Sequence, residues 1–138
     1  MDEPLAITLF SGTDDKLQAA AVLTAGAAAI GRPVHIFLQY WGLDAFRKNG
    51  SAPHETKLAP EAGPEGLAAV KALAAAGQAS WRETLEQAKE IGDVEIQACS
   101  LSMDLLHLNP QDLDPLVDGV EGVTAFWLAA STGQVVFI

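Results

Sequence analysis

The sequence predicts a three-layer α/β/α single domain built on a mostly parallel sheet of about five strands. Three observations carry that expectation. Short apolar runs such as Leu5 to Phe10 and Val34 to Leu38 are nearly continuous, as expected of parallel strands covered on both faces. Helical stretches separate successive strands, so each connection is long enough for a crossover. Finally, 138 residues with 49% hydrophobic and 19% charged content are enough to bury one core, so a single domain is expected to span residues 1–138.

Leu5 to Phe10 is the first predicted strand. Ser11-Gly12-Thr13 then turns the chain, with Thr13 as N-cap and Asp14 and Asp15 in the first helical turn, where negative charge suits the helix dipole. The alanine-rich helix that follows contains the run Leu17 through Ile30. It ends at Gly31, in the place of a left-handed cap residue, with Pro33 just beyond. This helix is expected to be buried, and it has so little polar surface that part of it is expected to meet a second subunit. Val34 to Leu38 is the second strand, with Gln39-Tyr40-Trp41-Gly42 at its carboxyl end. A short helix is predicted over Gly42 to Lys48, followed by an irregular loop from Asn49 to Pro64, where turn residues cluster and periodicity disappears. Glu65 to Ala76 has helical composition and Gly77 ends it. Ser80-Trp81-Arg82-Glu83 has capping-box spacing and opens a helix running to about Ile91, with Gly92 as its cap.

Val94, Ile96 and Ala98 alternate with Glu95 and Gln97, which predicts a third strand ending at Cys99. A helix is predicted over Leu101 to Leu108. Asn109-Pro110 and Asp114-Pro115 each set a capping residue before proline, predicting two short helical turns. Gly119 to Glu121 reads as a brief strand, Val123 to Ala130 as a helix, and Gln134 to Ile138 as the last strand.

Composition narrows the function classes. Eighteen acidic against eight basic residues give a formal charge of -10, which repels a phosphate backbone, so direct nucleic-acid binding is not expected. The longest apolar run, Ala19 to Ile30, falls short of the roughly 20 residues needed to cross a bilayer, and no leader pattern opens the chain; a cytoplasmic protein is expected. One cysteine excludes an intramolecular disulfide. With His35, His54 and His107 far apart and without ligand spacing, no structural metal is expected. His35 reads as a strand residue, His54 as a loop residue, and His107 as a cation near a helix end.

The chemistry centres on Cys99, at the junction of a strand and a helix. Backbone N–H groups of a helix's first turn, and the positive end of its dipole, favour thiolate over thiol at such a position. In open parallel sheets the ligand crevice also lies beyond the carboxyl ends of the strands. Tyr40 and Trp41, with Ser11 and Gly12, are the candidate pocket wall there. The alternative is that Cys99 is a buried small hydrophobe, as free cysteines usually are, and that the rings merely fill space.

The stretch Ala98-Cys99-Ser100-Leu101-Ser102-Met103-Asp104-Leu105-Leu106 resembles the cysteine motif of the DsrE/DsrF-like family, which includes small sulfur-relay proteins. The likeness extends to Ile7 through Asp15, Val34 through Leu43 and Gly119 through Phe126, and so spans nearly the whole chain. One departure is visible: the family often has glycine shortly after the apolar pair Leu105-Leu106, where this chain has His107. The resemblance implies that Cys99 carries a persulfide, that the protein works with sulfur-donor and sulfur-acceptor proteins, and that it forms a homo-oligomer, a trimer or hexamer. No cofactor is implied.

Three functions follow as hypotheses. In the first, Cys99 holds a sulfane sulfur and passes it to a partner thiol, with the amides of Leu101 and Ser102 and the hydroxyls of Ser100 and Ser102 stabilising the anionic sulfur. The hydroxyls have helix capping as their alternative role. In the second, Cys99 is a peroxiredoxin-like thiol oxidised to sulfenic acid, although no resolving cysteine is present. In the third, the protein is a non-catalytic binding or scaffold subunit with Cys99 buried.

Overall fold

The computed structural model describes residues 3–48 and 55–138. Five strands form one sheet in the order β4-β3-β2-β1-β5, comprising β1 (Leu5–Leu9), β2 (Val34–Leu38), β3 (Val94–Cys99), β4 (Gly119–Glu121) and β5 (Gln134–Phe137). Every neighbouring pair is parallel. Six α-helices accompany them among the described residues: α1 (Asp14–Ala29), α2 (Tyr40–Asp44), α3 (Gly63–Ala75), α4 (Trp81–Ile91), α5 (Ser100–Leu105) and α6 (Val123–Ala130).

The strand order explains which helix covers which face. Parallel crossovers are almost always right-handed, so the three links that step from β1 through β4 in one direction put their helices on one side. The last link runs back past the whole sheet to β5 and puts α6 on the other. The packing follows this rule. Leu5, Ile7, Leu9, Val34, Ile36, Leu38, Val94, Ile96 and Ala98 point into a large core with Leu17, Ala20 and Ala21 of α1, Leu85 and Ala88 of α4, and Met103 of α5. The opposite face carries a smaller apolar cluster, Ala6, Phe37 and Cys99 under Phe126 and Ala130 of α6, beside the buried polar residues Thr8 and His35. The layers are therefore three, but unequal.

The helix ends are set by local chemistry. Gly31 (φ 78) closes α1 and Gly77 (φ 94) closes α3 in left-handed conformations. The paired bonds Arg32 N to Ala27 O and Gly31 N to Ala28 O satisfy the last carbonyls of α1. At α4 the Ser80 hydroxyl accepts from Glu83 N at 3.1 Å, which is the serine half of the expected capping box. Thr13 occupies the N-cap of α1 but makes no capping bond through its side chain. Instead the first-turn carboxylates hold the incoming loop: Asp14 accepts from Lys57 N at 2.8 Å and from Trp81 Nε1 at 3.2 Å, and Asp15 accepts from Ala59 N at 3.1 Å.

Several elements depart from expectation. α2 begins at Tyr40 rather than Gly42 and stops at Asp44. α5 covers Ser100–Leu105 instead of running from Leu101 to Leu108. Of the two proline turns, Pro110–Asp112 is a 3-10 turn with a capping box, whereas Asp114-Pro115 makes a single turn, closed by Val117 N on Asp114 O at 3.0 Å and capped by the Asp114 carboxylate on Leu116 N, and goes no further. The expected irregular loop ends early, with a 3-10 turn at Pro60–Ala62 leading directly into α3. Residues 49–54 of that loop, His54 among them, lie outside the described residues. α1 buries one face only, leaving Val22, Leu23 and Ile30 exposed, and α3 buries no residue.

Candidate functional site

Cys99 is the last residue of β3 and the N-cap of α5, with extended backbone (φ -70, ψ 121) and no capping hydrogen bond from its side chain. The alternation of the strand turns its side chain to the α6 side, where it joins the small cluster with Ala6, Phe37, Phe126 and Ala130. It is 4% exposed. Ser100 and Leu101, which follow it, are exposed, whereas Ser102 is fully buried. The Ser102 hydroxyl oxygen accepts a hydrogen bond from Tyr40 N at 3.1 Å and keeps its own proton to donate. That bond ties α5 to α2 at a residue with φ 45, a conformation bulky side chains rarely adopt.

The predicted wall residues meet one another at the carboxyl ends of β1 and β2. A Cβ on Gly12 would sit 2.3 Å from Trp41 O, so only glycine lets the loop after β1 lie on α2. Ser11 N donates to Ile138 O at 3.2 Å. Trp41 is exposed, and the Tyr40 ring lies 6.1 Å from it and 5.0 Å from Phe10. Phe10 continues to Phe137 at 5.8 Å. Phe137 borders a groove of about 220 Å³ lined also by Thr8, Phe37, Gln39, Val123, Phe126 and Trp127. Ser11, Gly12, Tyr40 and Trp41 stand beside this groove and do not line it. Phe37 and Phe126 belong both to its wall and to the cluster around Cys99.

A polar constellation that sequence reasoning missed occupies the same face. His35 is 6% exposed, with Nε2 at 2.6 Å from Glu121 Oε1 and Nδ1 at 3.6 Å from Glu95 Oε2. Glu95 also accepts from Gln97 Nε2 at 2.6 Å. Glu121 lies in register with Cys99 across β3 and β4, and the His35 ring is 6.0 Å from Phe126. The available signal was His35 itself: a polar residue inside the apolar run Val34 to Leu38 must find partners when the strand is covered. Among the described residues no group of three or more histidine, cysteine, aspartate and glutamate side chains is arranged to hold a metal ion.

Sheet and site together define the class: an open, all-parallel α/β domain with its single thiol at a strand's carboxyl end, on the face that one helix covers. The chain belongs to the DsrE/DsrF/DrsH-like family, a family related to sulfur relay. The family model matches residues 1–69. The chain is also 32% identical over 150 residues to the uncharacterized protein YrkE of Bacillus subtilis (strain 168), with 94% of this chain and 92% of that protein aligned. Among solved structures it resembles the ychN protein from E. coli, with a TM-score of 0.62 and 13% identity over 100% of both chains. It also resembles MTH1491 from Methanobacterium thermoautotrophicum, a protein of unknown function, with a TM-score of 0.59 and 12% identity over 98% of both chains. At those identities the likeness is one of fold. Cys99 lies beyond the segment the family model matches. No helix among the described residues is long and apolar enough to cross a membrane.

Proposed function

We propose that this protein is a cytoplasmic sulfur carrier and that Cys99 is the atom-bearing site. The Cys99 thiolate attacks the outer sulfur of a donor persulfide, forming Cys99–S–SH and releasing the donor thiolate. An acceptor thiolate then attacks the same outer sulfur, leaving with it and restoring Cys99. Sulfane sulfur moves at each step without an outside oxidant or reductant. The observation that supports this most is the position of the only cysteine, at the carboxyl end of an internal parallel strand and immediately before the first turn of α5. The amides of Leu101 and Ser102 and the hydroxyls of Ser100 and Ser102 are the groups proposed to hold the anionic sulfur.

Intact mass spectrometry after incubation with a persulfide donor is the test. One added sulfur on the wild type and none on Cys99→Ser is expected. Absence of loading on the wild type rejects the carrier, and equal loading of Cys99→Ser rejects the assignment to Cys99. The 4% exposure of Cys99 favours a second reading, a binding subunit in which the thiol only packs.

The carrier reading includes a homo-oligomer, a trimer or hexamer, and sulfur-donor and sulfur-acceptor protein partners. Its physical support is the outer face of α1, where Val22, Leu23 and Ile30 are exposed and line a groove with Arg32 at its edge. Gly26 on that helix has open space where a Cβ would stand. An exposed glycine inside a helix costs about 1 kcal/mol relative to alanine, and nothing within the subunit requires it.

A further inference from the structure

We propose that α6 is a movable cover over Cys99 and that the Phe126 ring is its latch. The proposal rests on the carrier reading, since it says how a buried sulfur is reached. Sulfur exchange needs a second sulfur to approach Cys99 directly, and access governs its rate. At 4% exposure, packed with Phe37 and Phe126, the thiol offers no such approach in the closed structure. Some neighbouring element must move.

The elements around the thiol are held very unequally. β3 is an internal strand paired with both β2 and β4. α5 buries Ser102 and Met103 and is tied to α2 through the Ser102 bond to Tyr40 N. α6 buries only Phe126 and Ala130, while Leu128 is exposed and Val123 and Trp127 are more than half exposed along the edge of the groove. No α6 side chain makes a hydrogen bond or ion pair among the described residues. Its grip on the sheet is the buried Ala130 and, chiefly, the Phe126 ring, which stacks on Phe37 with centroids 5.0 Å apart at 21° and lies 6.0 Å from His35. Elements with few buried contacts open at low free energy, while the rest of the fold stays intact.

The flanks of α6 confine the movement to the helix. Just before it, Glu121 is bound to His35 at 2.6 Å. Just after it, Gln134 N bonds Pro4 O at 3.1 Å, and Gly133 packs so tightly on Pro4 that a Cβ would lie 2.0 Å from its carbonyl oxygen. Gly122, the N-cap, is loose by comparison: a Cβ there would meet only Ser100 Oγ, at 3.9 Å. The groove of about 220 Å³ bordered by Thr8, Gln39, Trp127 and Phe137 gives the Phe126 ring a place to go. Swinging into it uncovers Cys99 without exposing the large core on the other face.

The test is the rate of Cys99 alkylation by iodoacetamide on the full chain, followed against urea at concentrations below global unfolding. A local opening exposes little surface, so the wild-type rate should be nearly flat in urea at first. Phe126→Ala should raise that native-state rate by about tenfold or more, whereas Phe137→Ala, which removes a groove wall and a stack on Phe10 but no member of the cluster around Cys99, should not. If Phe126→Ala does not fold, Phe126→Leu carries the test with a smaller increase. A wild-type rate that follows the full urea dependence of unfolding overturns the cover, and so does a Phe126 variant, folded by circular dichroism, that reacts no faster than wild type. Persulfide loading of the same samples separates this proposal from the function. Fast alkylation of Phe126→Ala without loading leaves the cover standing and rejects the carrier. Loading that is indifferent to Phe126 does the reverse.

Discussion

Replacing Asp114 with asparagine keeps the shape of the side chain and removes its charge, and the surrounding contacts set the size of the loss. Arg82 donates through Nε to Oδ2 at 2.6 Å and through Nη2 to Oδ1 at 2.9 Å, and Leu116 N adds a third bond to Oδ1 at 2.9 Å. With Asp114 N bonded to Phe46 O at 2.7 Å, this residue joins α4, the turn after α2 and the link that leads into β4. The Asp114 side chain is 15% exposed and that of Arg82 is 40% exposed. Hydrogen bonds to charged groups contribute about 1.5–3 kcal/mol when sheltered, and exposed ion pairs about 0–1 kcal/mol. The half-open guanidinium places Asp114→Asn between them, at a loss of about 1–2 kcal/mol, or about 3–8 °C in Tm for a domain of this size. Burial alone would raise the Asp114 pKa, but the Arg82 bonds, the Leu116 amide and the guanidinium charge outweigh it and hold the carboxyl below its ordinary value of 3.8. A carboxylate depressed in the folded state stabilises above its unfolded pKa, and that contribution fades as pH falls through the folded one. Wild type and variant share every other acid, including the similarly depressed Asp15, so their difference isolates this site. Urea midpoints by circular dichroism should show the full gap at pH 7, a shrinking gap below about pH 4 and none once Asp114 is protonated. A gap under about 0.3 kcal/mol at pH 7, or one undiminished at the lowest pH where the protein folds, refutes the reasoning.

His107→Gly should raise stability by about 0.5 kcal/mol, because relief of about 1 kcal/mol of left-handed strain outweighs the greater freedom glycine brings to the unfolded chain; a lower urea midpoint for this variant contradicts the reading. Light scattering at micromolar concentration should give a multiple of 14.5 kDa for the wild type and a smaller, folded species for Leu23→Glu. A wild type that stays at 14.5 kDa over a wide concentration range shows that the apolar face of α1 is simply exposed.

The strands were the most legible part of the sequence, because a parallel strand covered on both faces is largely apolar and its ends nearly coincide with the end of that run, as in Val34 to Leu38. The helix ends at Gly31 and Gly77 were legible for the same kind of reason, since glycine marks a left-handed residue. His107 shows the limit of that rule. It sits at φ 54, with Leu108 N bonded to Met103 O at 2.9 Å and His107 N to Asp104 O at 3.2 Å. Histidine thus occupies the glycine seat of a Schellman closure, and α5 ends despite the departure from the family pattern. The start of α2 was illegible because Tyr40 is held in its conformation by Ser102, far along the chain. His35 was passed over as a strand residue for the same reason, since its partner Glu121 arrives on β4. Apolar composition marked α1 as a helix to be covered, but not that its own subunit would cover only one side. The candidate wall at Ser11, Gly12, Tyr40 and Trp41 came from strand ends alone, and could not register that the reversal of strand order brings α6 across to form the groove.

α3 is a helix of 13 residues that contributes nothing to its own core. Isolated helices of that length are only marginally formed in water, and only half-buried residues such as Leu67 and Val70 add packing, so its helical population leans on local propensity and on whatever rests against it more than that of any sheet-packed helix. A ligand that required the helical form would bind with its intrinsic affinity divided by that population, and would order the segment as it bound. Warming would lower the population gradually, while the packed domain underneath still held. The chain thus has two thermometers: a cooperative one in the sheet, and a graded one in α3 that would register as weakened association long before any loss of fold.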